Sequence, residues 1–143
     1  MNFLPRISLR RKMKKVIPDT NVFLRFILND LPRQADKAEQ LFIKAKRGKT
    51  ELYVPQIVIF EIQFVLDKYY GFSRLEIVGK LKTIISSTYL VVQDRAAFIK
   101  ALDHYETGKI GFVDAFLIKL AEEEDAQMYS FDKGLSREYV NSV

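Results

Sequence analysis

Lys15-Val16-Ile17-Pro18-Asp19-Thr20-Asn21-Val22-Phe23-Leu24 reads as a short apolar strand that stops on a carboxylate and turns at once into a helix. In parallel α/β sheets, ligands gather beyond the carboxyl ends of the strands. An Asp at that point faces the mouth of a site and not the core. Thr20 and Asn21 follow at the helix entrance, where their side chains can accept backbone N–H bonds. Taken alone, Asp19 reads first as a turn or cap residue, and the rest of the chain decides whether it is more.

Outward from this stretch, apolar runs alternate with helical periodicity. Strands are predicted over 14–19, 51–54, 88–92 and 127–131, with one more short strand in the tail 133–143. Helices are predicted over 20–28, 33–47, 56–70, 74–86, 95–106 and 112–124. Pro32 breaks the first helix, and Gly48 is a usual helix stop. Pro55 is placed to start a helix, Ser73 and Asp94 to cap one. Regular alternation of strand and helix argues for a parallel sheet covered on both faces.

The chain has 143 residues, of which 48% are hydrophobic, enough for one domain with a real core and too apolar for a disordered chain. It contains no cysteine, so neither a disulfide frame nor a zinc–thiolate site is available, and a reducing cytosol is consistent with this. No apolar run approaches the length of a membrane span. The formal charge of +5 is a property of one end. Arg6, Arg10, Arg11, Lys12, Lys14 and Lys15 precede the first acid. Without those six, 17 basic residues face 18 acidic ones, so net charge makes no case for a nucleic-acid footprint. Residues 1–12 read as a basic extension, disordered or an artefact of start choice ahead of Met13, and residues 13–143 as a single domain.

Two more acids stand where apolar residues belong. Residues three and four apart are neighbours on a helix. Around Glu61 those are Ile57, Val58, Phe64 and Val65, and around Asp114 they are Ile110, Gly111, Leu117 and Ile118. Both acids are therefore expected on core-facing stripes, where a carboxylate must be neutral, hydrogen-bonded, paired or metal-bound. Each also has a purely structural reading, as partner to a backbone amide or to an Arg such as Arg25. With Asp19 and Asp132 at strand ends, however, four separated segments each carry one acid toward one sheet edge. Such a set repels itself unless a hard divalent cation lies among it. Magnesium prefers such oxygen ligands. With His104 as the single histidine, a zinc or copper site is disfavoured.

Asp19-Thr20-Asn21 after an apolar strand, Glu61 on an apolar helix, Phe112-Val113-Asp114-Ala115-Phe116-Leu117 and Ser130-Phe131-Asp132 together resemble the PIN-domain nucleases. The resemblance covers roughly residues 14–135 and is nearest to the toxins of VapBC toxin–antitoxin pairs. It implies a three-layer α/β/α sandwich around a central parallel sheet of four to five strands. It implies a cytoplasmic, magnesium- or manganese-dependent endoribonuclease acting on RNA. Asp19, Glu61, Asp114 and Asp132 are then the acidic, metal-holding site, with Thr20, Asn21 and Ser130 orienting them. A homodimer and a cognate VapB-like antitoxin are the implied partners. Pro18, without an N–H, departs from a central-strand pattern, so a bulge or strand end is expected there.

Arg25, Arg33, Lys37 and Lys80 are the cations available for an RNA backbone. A housekeeping RNA-processing nuclease would share the same site. A phospho-receiver domain, with Asp94 as acceptor and Lys133 as partner cation, is the alternative from another class, but it leaves Glu61 and Asp114 unexplained. Deleting residues 1–12 is expected to leave soluble yield, thermal melting and activity unchanged. Loss of soluble protein on that deletion would show the extension to be part of the fold.

Overall fold

Pro18 sets the first boundary. β1 spans Lys14–Val16 and stops short of it, because a residue without an N–H cannot continue the ladder. Ile17–Asp19 continue as unpaired chain and Asp19 opens α1, Thr20–Leu28. The computed structural model describes residues 13–138. The basic stretch 1–12 and the tail 139–143 lie outside them. The described chain forms two compact units: residues up to Ile62 with Ser87–Gln93, and Gln63–Ser86 with the residues from Asp94 onward.

The first unit holds the sheet. β2 (Thr50–Val54) lies between β1 and β3 (Leu90–Val92), and both pairings are parallel. Leu52 stands opposite both Val16 and Leu90. Leu52 and Val54 are completely buried, as the middle strand of a covered parallel sheet requires. The Thr50 hydroxyl donates to the Lys14 carbonyl at 2.8 Å, adding a side-chain tie to the β1–β2 ladder. α1 packs on α2, Pro32–Lys46, with Phe42 stacked on Phe26 at 4.2 Å and tilted against Phe23 at 5.5 Å. Each such ring pair contributes about 1 kcal/mol beyond its burial. Asn29 closes α1 in the left-handed region at φ 52, its N–H donating to the Arg25 carbonyl. Beyond β2 the chain enters α3, Gln56–Phe64, whose first N–H is held by the Gln93 side chain at 2.8 Å.

The second unit is helical. A π-helical turn, Val65–Tyr69, follows α3, and Gly71 at φ +68 releases the chain from it. α4 (Arg74–Ile85), α5 (Arg95–Thr107) and α6 (Phe112–Glu123) pack in sequence, α4 on α5 and α5 on α6. Phe98 of α5 is fully buried, 4.4 Å from Phe116 and 6.1 Å from Phe112 of α6. α7, Lys133–Glu138, is tied to α6 through a small apolar cluster of Ile118, Ala121, Met128 and Leu135.

Helix positions follow the sequence pattern to within a residue or two, except that the helix expected over 56–70 is α-helical only to Phe64. The strands do not follow as closely. Three are present among the described residues, where four to five were expected. Residues 127–131 alternate in exposure as a strand would, with Met128 buried and Tyr129 and Phe131 exposed, yet form no ladder. A strand is defined by its partner, which a local pattern does not reveal. The start of the tail is α7 and not a strand. Glu61 is also corrected. It is exposed, on the same side of α3 as Ile57 (72%) and Phe64 (60%), while Val58, Ile59 and Ile62 are buried. α3 is apolar nearly all round, so apolar neighbours do not identify its inner face.

α4 begins with a reciprocal cap. The Glu76 N–H donates to the Ser73 hydroxyl at 3.2 Å, and the Ser73 N–H donates to the Glu76 carboxylate at 3.1 Å. That backbone N–H first, and the hydroxyl second, hold the Glu76 carboxyl below its ordinary value. Ser73→Ala should lower stability by about 1 kcal/mol in urea unfolding at neutral pH. A lowered carboxyl stabilises above its ordinary pKa and loses that contribution as pH falls through the lowered value. The difference between Ser73→Ala and the parent should therefore shrink in acid.

Candidate active site

Asp19 and Asp132 are held by the same local device. The Asp19 carboxylate accepts the Val22 N–H through Oδ1 at 3.2 Å, capping α1. The Asp132 Oδ1 accepts the N–H groups of Gly134 at 2.8 Å and Leu135 at 3.3 Å, capping α7. Both caps answer the orphan N–H groups of a helix start. Gly134 eases this approach, since a Cβ there would stand 3.2 Å from the Asp132 Oδ1, a tight contact. Asp132 is pinned from the other side too, its own N–H donating to the Ser130 hydroxyl at 3.0 Å.

Asp114 lies in the first turn of α6, where the helix dipole favours a negative charge. It is half-buried. In the second unit Asp114 and Asp132 line one cavity of about 260 Å³ with Lys109, Ile110 and Gly111. Two acids from different elements thus line one cavity with a lysine. In the first unit Asp19 and Asn21 line a groove of about 380 Å³ with Arg25 and Lys37. Arg25 pairs there with Asp30 at 3.2 Å. Thr20 is buried behind Asp19. Glu61 belongs to the first unit but does not line that groove. Among the described residues, no group of three or more acidic or histidine side chains is assembled that could hold a metal ion.

Sequence reasoning missed what holds the Asp114 loop. The Arg74 guanidinium donates to the carbonyls of Tyr105 at 2.9 Å and Ile110 at 2.5 Å, and reaches Lys109 at 3.5 Å. It also lies over the Tyr105 ring at 4.4 Å. One planar cation thereby ties the end of α5 to the turn that launches α6. Gly108 closes α5 with no room to spare, because a Cβ there would fall 2.8 Å from the His104 carbonyl. Neither role has a sequence signature beyond an Arg after a cap and a Gly after a helix. Asp94, the acceptor in the receiver alternative, starts α5 in the left-handed region at φ 55 without a side-chain cap bond.

Comparison with known proteins gives the class. The PIN domain model matches residues 16–140, spanning both units, and the chain belongs to the PIN domain family. Curated proteins include no match to this sequence. PIN domains are generally nucleases, which implies a nucleic acid substrate, and they generally use divalent metals. No helix among the described residues is long and apolar enough to cross a membrane.

Arg74→Ala removes charge-assisted bonds to backbone carbonyls that are then left without a donor. The expected loss is about 2 kcal/mol or more in denaturant unfolding. Arg74→Lys should recover only part of it, because an ammonium cannot reproduce the planar fork.

Proposed function

We propose that the protein is a metal-dependent endoribonuclease that hydrolyses RNA phosphodiester bonds, and that it serves as the toxin of a VapBC-type pair. The observation that carries this reading is that Asp114, Asp132 and Lys109 line one cavity of a PIN-family chain. Asp19, Glu61, Asp114 and Asp132 form the carboxylate set in this reading. The donors are oxygens, with no cysteine in the chain and His104 outside the cavity, which fits magnesium or manganese. When bound, such an ion neutralises charge on the scissile phosphate and lowers the pKa of an attacking water.

The chain's own groups position these elements. Capping holds the Asp132 carboxylate through Oδ1, so its rotamer is set before any ligand arrives. Asp19 is prepared in the same way by the Val22 N–H. Ser130 fixes the backbone at Asp132, and Thr20 and Asn21 flank Asp19. Lys109 offers an ammonium to a phosphate oxygen beside the two acids. A cognate VapB-like antitoxin, a homodimer and a cytoplasmic setting complete the proposal.

Asp114→Asn should reduce magnesium-dependent RNA cleavage on the order of a hundredfold or more, beyond the usual loss for an outer-shell partner. Its melting temperature should stay near that of the parent. Chelation should abolish cleavage, and magnesium or manganese should restore it. Unchanged cleavage by the variant would remove Asp114 from the site. Induction in a bacterial host should arrest growth, with rescue by a co-expressed neighbouring DNA-binding protein. Normal growth under induction would leave a nuclease without a toxin role.

A further inference from the structure

Asp114 lines a second space in the same unit. A groove of about 450 Å³ is bounded by Asp114 together with Phe64, Asp67, Lys68, Phe72 and Arg74. We infer that this groove is a subsite for one unpaired nucleobase of the RNA, with the Phe64 ring as its stacking platform and the Lys68 ammonium as the partner of an adjacent phosphate. The inference rests on the nuclease reading for its substrate and extends it to residues outside the acidic set.

Phe64 is the reason for looking here. It is 60% exposed, so most of its ring is open to a ligand. The other rings of this region are engaged. Phe72 stacks with Tyr70 at 5.9 Å and carries the Lys80 ammonium at 4.8 Å. Tyr105 is taken by Arg74 and by Phe112. Phe64 enters none of these stacks and lines the groove with its ring in solvent. Lys68 is exposed, and its pair with Asp67 at 3.8 Å is a weak surface contact that a phosphate can displace.

The mixture favours nucleic acid over a protein partner. Protein interfaces lose charged residues from their centre. This groove keeps two acids and two cations among its aromatics. An exposed ring beside a cation is how proteins bind single strands without reading sequence, because every base has a π-face. Asp114 borders both this groove and the acid cavity, so a base held here belongs to a nucleotide beside the scissile bond.

The test is fluorescence anisotropy on the full chain with a labelled oligoadenylate of about ten nucleotides, in calcium in place of magnesium. Phe64→Ala should raise Kd about tenfold, the order of one lost base–aromatic stack. Lys68→Ala should weaken binding and flatten its salt dependence. An abasic version of the same strand should bind the parent and Phe64→Ala alike. Leu75→Ala, exposed in the same unit but outside the groove, should bind as the parent does. A Kd for Phe64→Ala within about twofold of the parent, or no binding by the parent, overturns the subsite. So does a change in sedimentation on Phe64→Ala, which would mark the ring as a protein–protein contact. Cleavage in magnesium is read separately. Binding that depends on Phe64 without any cleavage would sink the nuclease reading and keep the subsite. Cleavage indifferent to Phe64 would do the reverse.

Discussion

Negative charge is tolerated in this protein where a helix begins. A helix start presents N–H groups with no partner inside the helix and the positive end of its dipole. Asp19 and Asp132 answer those groups directly, and Asp114 sits in the first turn of α6. Three of the four proposed site acids are therefore placed by a helix start. Glu61 is the exception, in the middle of α3 and exposed.

The same device explains why so much positioning falls to residues without reactive groups. A capping carboxylate is only as well placed as the turn that carries it. Ser130 and Gly134 shape the turn at Asp132, one by accepting its N–H, the other by leaving room for its Oδ1. Arg74 does comparable work for Asp114, bonding to carbonyls at the end of α5 and within the turn before α6. Such contacts hold a group within the small tolerance that positional catalysis allows. They are also dispersed along the chain, and none resembles a motif.

Features that act on nearby backbone atoms were legible in the sequence, and features that depend on distant partners were not. Caps and stops belong to the first group. Pro18 ended β1, Ser73 capped α4, and Gly48 at φ +73 closed α2, because each acts on backbone atoms within a few residues. Burial inferred from apolar neighbours belongs to the second. α3 carries apolar residues on most sides, so the rule that placed Glu61 inward had no contrast to work with. The stretch 127–131 failed for a related reason, since its alternation is that of a strand but its ladder partner is not written in the residues themselves.

From the residues in order, the chain determined its helices, most of their caps, the identity of the four acids, and its membership of the PIN family. All of these depend on short-range backbone chemistry or on a pattern spread along the whole length. Only the tertiary structure decided that Asp114 and Asp132 share a cavity with Lys109, that Glu61 faces solvent, and that Arg74 holds the turn before α6. Those facts join groups far apart in sequence. Their proximity is set by how helices pack, through contacts such as Phe98 against Phe116 and Ile118 near Leu135, and no local pattern carries that information.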